Sequence, residues 1–239
     1  MRASDLLGSI VVDRDDKELE DVQDLIMVQD GPPIGPVGAA LRVRALLFGT
    51  PAIGVRLGFA RRDVRGPGPL RALFSALHGR LRVATWDQIA AVEQERIRLR
   101  VPERDVHSDI DLSGAPGRVL DAGLELLDRQ MIDPDGRMAG NVDDLELTFP
   151  DGGGPPLVTS ILAGPGALSR RIGGALGDSI ASIHERLQAC DLEGPARVSF
   201  GVVVSIGSDV RLAVSRKDLA IYRFEAWARD TIVTKIPGS

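Results

Sequence analysis

The chain has 239 residues, 44% of them hydrophobic and 26% charged, which is the composition of a soluble globular protein. Its formal net charge of −5 gives no electrostatic reason to expect binding to nucleic acid or to an anionic membrane. The single cysteine excludes an intramolecular disulfide, and no apolar run approaches the roughly 18 residues of a membrane helix. The N-terminal segment lacks the apolar region of a signal peptide. We therefore predict a cytoplasmic protein without a transmembrane segment.

The sequence of residues 1–102 predicts several short strands and one helix. Runs of apolar and β-branched residues predict the strands, and Pro near the start with Gly at the end brackets a helix of apolar spacing. In chain order the predicted elements are the strands SIVV (9–12), DVQDLIMV (21–28) and ALRVRALLFG (40–49), the helix PLRALFSALHG (69–79), and the strands RLRVA (80–84) and RIRLRV (96–101).

Residues 119–239 predict a similar series with one addition. ARVSFGVVVSIG (196–207) is a strand candidate without a counterpart in the first series. The other predicted elements are the strands RQMI (129–132), NVDDLELT (141–148) and PLVTSILAG (156–164), the helix DSIASIHERLQA (178–189) with an Asp at its start, and the strands VRLAV (210–214) and TIVTKI (231–236).

The two series are interpreted as copies of one unit. A shift of 120 places residues 6–28 on 126–148, and a shift of 115 places residues 43–58 on 158–173, with repeated identities in both blocks. A shift of 131 places Arg80, Leu81, Val83 and Asp87 on identical residues, and a last block sets IRLRVP (97–102) over IVTKIP (232–237). Because the blocks keep their order, the changing shifts indicate loops of different length.

The acidic stretch VVDRDDKELEDVQDL (11–25) admits three interpretations: a metal-binding loop, an acid–base pair or a hairpin turn. Its copy MIDPDGRMAGNVDDL (131–145) keeps two aspartates, Asp133 and Asp135, but has Gly136 next to them and lacks the ligand series and closing Glu of a calcium loop. Both copies keep a strand, an Asp-rich or Asp-Gly cluster and a second strand, the pattern of a hairpin. We therefore predict a turn, and no metal.

Five or six short strands per copy predict a small barrel, since closure removes exposed sheet edges. The polar segment ERDVHSDIDLSGAPGR (103–118) is predicted to be a linker. The expected architecture is therefore mainly β with short helices, in two tandem barrels at residues 1–102 and 119–239.

The opening of each copy resembles the PRC-barrel family. A hydrophobic pair, a Gly or Asp, and then a V-x-D turn and a V-x-D-L strand stand as LLGSIVVDRDDKELEDVQDL (6–25) and LLDRQMIDPDGRMAGNVDDL (126–145). A late W-x-x-I element stands as VATWDQI (83–89), with VSRKDLA (214–220) at the matching place and no Trp. Together with RALLFG (44–49), IGVRLGF (53–59) and GPGPLRALFSALH (66–78), these stretches are similar to a two-barrel form found in actinobacteria.

The resemblance implies a small β-barrel that acts as an adaptor. Members include the cytoplasmic part of a photosynthetic reaction centre subunit and a ribosome maturation factor, and the family has no shared catalytic residues to carry over. The expected function is therefore a non-enzymatic adaptor or scaffold for protein partners, a larger complex or a second copy of the chain. Peripheral membrane association stays open.

Residues that could carry chemistry are few and scattered. The three histidines (His78, His107, His184) and Cys190 lie far apart, and no nucleophile elbow or phosphate loop is present. We predict no catalytic residue, no metal site and no cofactor. Two alternatives remain: an RNA- or ribosome-associated maturation factor, and an enzyme with a site between the barrels where the aspartates 24, 87, 144 and 218 would meet. The low aromatic content, 4%, argues against a platform for stacking nucleic-acid bases.

The one enriched feature is a run of arginines in the first copy, with Arg170 and Arg171 in the second. Arginine presents a planar fork that suits carboxylates and phosphates. The two copies are aligned with unequal lengths here, and variable loops on a rigid barrel are common binding sites. The predicted binding residues are Arg56, Arg61, Arg62, Arg65 and Arg71.

Overall fold

The structure is a computed structural model that describes residues 1–49, 81–108, 112, 114–163 and 196–219. It is mainly β-structure with short helices, as the sequence predicts, and one of its sheets forms a half-barrel. No helix within the described ranges has the length and apolar character needed to cross a membrane. The predicted helices at 69–79 and 178–189 and the strand at 231–236 lie outside the described residues, as do His78, His184 and Cys190.

In the first half, residues 1–108, the described residues form six strands and three short 3₁₀ helices. The strands are β1 (Ile10–Val12), β2 (Glu18–Gly35), β3 (Gly38–Phe48), β4 (Arg82–Thr85), β5 (Ile89–Glu93) and β6 (Arg96–Leu99), and the 3₁₀ helices are Ala3–Asp5, Trp86–Gln88 and Glu103–Asp105.

The second half, residues 119–219, begins with a strand and a single helical turn and then repeats the order of the first. Its strands are β7 (Val119–Asp121), β8 (Gln130–Ile132), β9 (Met138–Asn141), β10 (Asp144–Thr148), β11 (Leu157–Ala163), β12 (Ala196–Ser199), β13 (Val203–Ile206) and β14 (Val210–Leu212), and its helices are Ala122–Glu125, Phe200–Val202 and Arg216–Asp218.

The described strands form one ten-stranded sheet and one four-stranded sheet. In the first half the order of neighbours is β4-β3-β2-β1-β6-β5. The second half has the same order, β12-β11-β10 in the large sheet and β9-β8-β14-β13 in the small one. The long strand β2 corresponds to β9 and β10 together, which are separated by two residues outside either strand, Val142 and Asp143. The two halves therefore share one strand order, and strands of both halves share one sheet.

The pairing of the strands after residues 49–81 and 164–195 differs from the alignment that the sequence suggests. β12 pairs with β11 as β4 pairs with β3: Leu46 lies opposite Ala84, and Ile161 lies opposite Val198. Residues 196–207 are therefore the counterpart of β4, the turn after it and β5. The interpretation of this segment as an additional strand is wrong.

The closing strands give a second correction. β14 makes a parallel pair with β8 as β6 does with β1, so β14 is the counterpart of β6. The alignments of residues 80–87 with 211–218 and of 97–102 with 232–237 are therefore wrong. Short strands with alternating apolar residues match one another at several shifts, and only the pairing partner fixes which one is equivalent.

With these counterparts, the connection that contains the arginine-rich segment and its equivalent in the second half have nearly the same length. Between β3 and β4 the chain has 33 residues (49–81), and between β11 and β12 it has 32 (164–195). The predicted binding arginines, Arg56 to Arg71, fall in the first of these connections and lie outside the described residues. Their role in binding stays a prediction, without the length argument.

Reciprocal strand pairs join the two halves. β3 and β11 are antiparallel with Arg42 opposite Leu157, and these residues occupy equivalent positions in the two halves. β7, which precedes the second half, pairs with β2, while Arg2, at the start of the first half, bridges to Glu146 of β10. Such mutual contacts between equivalent residues correspond to an approximate twofold axis that passes between Arg42 and Leu157.

One hydrophobic core serves both halves. Its fully buried large side chains come from strands, short helices and turns on both sides of the axis, among them Leu25, Leu46, Phe48, Leu126, Met131 and Phe200. At roughly 25 cal/mol per Å² of buried apolar surface, each such side chain contributes about 1.5–3 kcal/mol relative to an exposed position. A shared core means that unfolding one half exposes the apolar face of the other.

The start of the predicted linker contacts the first half. The backbone N–H of Val83 donates to the carbonyl oxygen of His107 at 2.8 Å, and the side-chain amide of Gln88 donates to the carbonyl oxygen of Asp105 at 3.4 Å. Residues 103–107 thus cover β4 and the helix after it, and the connection continues from there to β7. The domain limits at 102 and 119 remain a prediction.

Candidate functional site

The two acidic turns are hairpins in the structure, which confirms the interpretation of residues 11–25 and 131–145. β1 pairs with β2 and β8 with β9, both antiparallel. The positive φ required by each turn falls on Asp16, at 62°, and on Gly136, at 75°. Aspartate tolerates this left-handed backbone better than most residues, which explains how the first copy forms the turn without glycine.

Asp13 and Asp133 use both carboxylate oxygens to hold these turns. Oδ1 of Asp13 accepts the backbone N–H groups of Asp15 and Lys17, each at 2.9 Å, and Oδ2 accepts that of Glu103 at 3.0 Å. Asp133 makes the same three bonds, to residues 135, 137 and 216. Each carboxylate therefore ties its hairpin to the 3₁₀ helix that ends its half.

The pKa values of these two carboxyls agree with that structural role. Burial alone would raise the pKa of Asp13, but the N–H groups of Lys17, Glu103 and Asp15 and the charge of Lys17 outweigh it and lower the pKa. Asp133 follows the same pattern, with its pKa lowered by the corresponding donors. In the part of the chain that the structure describes, no group of three His, Cys, Asp or Glu side chains could hold a metal ion. That neither turn binds a metal remains a prediction.

Asp24 and Asp144 are equivalent buried residues that reach across to the opposite half. Oδ1 of Asp144 accepts the N–H of Ser4 at 3.1 Å, and its Oδ2 accepts the Ser4 hydroxyl at 2.6 Å. Oδ1 of Asp24 accepts the N–H of Gly123 at 2.8 Å. Each carboxylate thus binds the first helical turn of the other half, and together they fasten the twofold interface.

The two carboxylates differ in their surroundings. Burial raises the pKa of Asp24 to about 6; the N–H groups of Gly123 and Leu25 oppose this shift, and the nearby charges of Asp121 and Glu125 add to it. Asp144 instead has the Ser4 hydroxyl as an additional donor. The protonation of Asp24 therefore changes at about pH 6.

The four aspartates of the proposed enzyme site do not share one pocket lining. Asp24 and Asp144 hold the helical turns described above, and Asp218 lies in the 3₁₀ helix that Asp133 holds in place. Asp87 lines an open cleft, to which none of the other three contributes a lining side chain. Their arrangement gives each a separate local role.

The 3₁₀ helix Phe200–Val202, termed here the Phe200 turn, is covered by the first half. The tip of the β2–β3 hairpin lies on it so closely that a Cβ atom at Gly35 would overlap the carbonyl oxygen of Gly201. A Cβ atom at Gly201 would in turn stand 2.8 Å from the carbonyl oxygen of Ile34. Phe200 is fully buried beneath this contact. Glycine at both positions permits the close approach of the two backbones.

The equivalent 3₁₀ helix of the first half, Trp86–Gln88, termed here the Trp86 turn, is only partly covered. The connection between β10 and β11 spans eight residues (149–156), whereas the corresponding hairpin of the first half extends over residues 29–41. The shorter connection places Phe149 beside Trp86, with ring centroids 6.0 Å apart. Phe149 is 44% exposed, in contrast to the enclosed packing around Phe200.

A cleft of about 870 Å³ opens beside the Trp86 turn; we call it the Trp86 cleft. Its volume falls in the range typical of ligand sites in proteins. Its apolar lining includes Val28, Trp86, Ile89 and Leu112, its charged lining is Arg44, Asp87 and Arg100, and its walls are the small or rigid residues Gly114, Ala115, Pro116, Gly154 and Pro155, with Thr85.

The charged groups of the cleft are held in different ways. The Arg44 guanidinium forms an ion pair with Asp30, which also accepts a bond from Nε of Arg42 at 3.0 Å. Arg100 is anchored by Nε, which donates to the carbonyl oxygen of Ile89 at 3.0 Å. Among the described residues no carboxylate lies within ion-pair distance of Arg100, whose side chain is exposed. Within the described residues, the cleft therefore presents a cation without a carboxylate partner, held by its Nε.

The chemistry of the cleft is confined to one half. Position 44 corresponds to Thr159, position 87 to Gly201, and position 100 to Ala213, whose N–H donates to Val202 as that of Arg100 does to Gln88. Both halves conserve the strand order and the buried aspartates, but only the first has two arginines and an exposed aspartate around the turn. These three charged residues therefore distinguish the Trp86 turn from the Phe200 turn.

The sequence contained one signal for this site. The VATWDQI motif (83–89) includes Trp86 and Asp87, but the wrong counterpart at 214–220 hid the comparison with Phe200 and Gly201. Arg44 and Arg100 appear in the sequence as members of strands, and nothing local indicates that they line one cleft.

No protein-family model matches the sequence, and no curated protein shows significant similarity to it.

Proposed function

We propose that the protein is a non-enzymatic adaptor of the cytoplasm that binds protein partners, and that each half is a small barrel of the PRC type. The common strand order, β4-β3-β2-β1-β6-β5 and its equivalent in the second half, supports the duplication of one small β-unit. The buried aspartates accept hydrogen bonds that hold the two halves together and hold the turns within each half. This structural role supports a scaffold rather than an enzyme with an acidic centre.

The Trp86 cleft is the proposed partner site, and one observation carries this assignment. The same place in the second half is filled by polypeptide, the tip of the β2–β3 hairpin on Gly201. Among the described residues, only the short β10–β11 connection lies at the corresponding position over the Trp86 turn, so a segment of another protein can take the place that the hairpin tip fills in the second half. The arginines at 56, 61, 62, 65 and 71 remain a second proposed contact region.

Photocrosslinking from within the cleft tests this function. A photoreactive amino acid placed at position 114, which is exposed in the cleft and where a Cβ atom would meet no other atom, should form a discrete crosslink to another protein in native extract. The same amino acid at position 135, exposed in the second acidic turn and on the other half, serves as the control. Crosslinks of equal yield and pattern at both positions, or none at 114, would contradict an adaptor function based on this cleft.

A further inference from the structure

We propose that the Trp86 cleft recognises an extended, acidic peptide segment, whose carboxylate pairs with Arg100 and whose neighbouring apolar side chain packs on Trp86. This inference rests on the proposed adaptor function and specifies the chemistry of the partner. Three features of the cleft carry it: the charge of its rim, the shape left above Asp87, and the apolar floor.

The charge of the rim selects for an anion. Arg44 shares Asp30 with Arg42, so this group of three side chains keeps a net positive charge, and Arg100 adds a second. Among the described residues that line the cleft, Asp87 is the only acid. The cleft is thus locally basic on a chain whose net charge is −5. Hydrogen bonds from a guanidinium to a carboxylate are charge-assisted and therefore stronger than neutral ones.

The Arg100 guanidinium is held in a way that suits it to bind a carboxylate. Its Nε is fixed on the carbonyl oxygen of Ile89, and among the described residues the two terminal nitrogens of the guanidinium have no hydrogen-bond or ion-pair partner. A guanidinium held in this way loses less conformational entropy on binding a carboxylate. Ile89 itself lines the cleft, so the anchor lies at the site.

The side chain of Asp87 determines how closely a bound peptide can approach the Trp86 turn. At the equivalent Gly201, two glycine backbones meet in direct contact. Asp87 has a Cβ and a carboxylate in that position, so a chain lying here stands one side chain further from the turn. At this distance its backbone N–H groups can donate to the Asp87 carboxylate, which favours an extended segment over a helix, whose N–H groups are already paired.

The apolar floor of the Trp86 cleft explains why the bound peptide should carry an apolar side chain. Trp86 is half-buried and lies beside the exposed ring of Phe149, and Val28 and Leu112 continue the apolar surface. A side chain packed between these groups removes apolar surface from water, which favours binding. Aromatic and arginine side chains are also the residues that most often dominate binding energy at interfaces.

Selection from a displayed library of random short peptides, with the full chain as the target, tests the inference. Enriched peptides should carry an Asp or Glu next to an apolar residue, and labelled synthetic copies should bind in fluorescence polarisation. Arg100→Gln should weaken their binding roughly ten- to a hundredfold, the loss expected from one charge-assisted contact. The matched control Arg104→Gln removes an exposed arginine outside the cleft and should change affinity less than about twofold.

A charge exchange separates direct pairing from a general field. Arg100→Glu should abolish binding of the acidic peptide and restore binding of the same peptide with its acid replaced by lysine. Peptides without acidic enrichment, affinity unchanged by Arg100→Gln, preferential binding of RNA oligonucleotides, or the absence of any selected peptide would each overturn the inference. If the crosslink from position 114 still identifies a partner protein, the adaptor function survives and only the acidic specificity fails; if that crosslink is absent as well, both fail.

Discussion

The Asp144→Ala variant is expected to lose about 3–5 kcal/mol of the free energy of unfolding. The substitution leaves the N–H and hydroxyl groups of Ser4 and the N–H of Leu145 without their acceptor, at a position that is 1% exposed. Such a loss is a large part of the 5–15 kcal/mol typical of a folded domain. It should lower the midpoint of thermal unfolding, followed by circular dichroism, by about 10 °C.

The Ser4→Ala variant is the matched control for that prediction. It removes only the hydroxyl bond to Asp144 and should cost about 1 kcal/mol. Because the bond joins the two halves, both variants should still unfold in a single transition if the core is shared as described. A midpoint for Asp144→Ala within 2 °C or so of the parent chain would contradict the assignment of Asp144 as a fastener.

The Asp24→Asn variant is expected to change the pH dependence of stability rather than simply to reduce stability. Burial raises the folded-state pKa of Asp24 from 3.8 to about 6, so between these values the folded chain holds a proton that the unfolded chain has released. The free energy of unfolding therefore falls as pH rises from about 4 to 6, and the full cost of ionisation, about 3 kcal/mol, is present above pH 6. Asparagine keeps an acceptor for Gly123 and carries no charge.

Urea unfolding at several pH values measures this effect. Asp24→Asn should equal the parent chain near pH 4 and exceed its stability by up to about 3 kcal/mol at pH 7. The lowered pKa values of Asp13 and Asp133 have the opposite effect, because the stabilisation by these carboxylates is lost as pH falls below about 4. The change in stability between pH 4 and 6 is therefore assigned to Asp24. An unchanged slope between pH 4 and 6 in the variant would contradict the account of Asp24.

The early part of each copy could be predicted from the sequence because its signals are local. The strand–turn–strand pattern around Asp13 and Asp133, the strands at 40–49 and 156–164 and the shift of 120 between copies all agree with the structure. The change of shift from 120 to 115 is explained as well: the hairpin from 29 to 41 is longer than the connection from 149 to 156.

The later part and the site could not be predicted, for two physical reasons. Short amphipathic strands are interchangeable in sequence, so β14 and residues 196–207 were given the wrong counterparts; their pairing partners, β8 and β11, lie far away in the chain. The cleft also depends on long-range geometry. Arg44, Trp86 and Arg100 lie on separate elements, and the space between them exists because the connection at 149–156 is too short to fill it.

Amide hydrogen exchange of the chain with and without its crosslinked partner, or a selected peptide, tests the central claim most directly. The two halves provide their own comparison, since the Trp86 turn and the Phe200 turn are equivalent in fold and differ in whether polypeptide already covers them. Binding should slow exchange at residues 85–89, 114–117 and 153–154 and leave residues 199–203 unchanged. Protection confined to the second half, or spread equally over both turns, would contradict the assignment of the Trp86 cleft as the binding site.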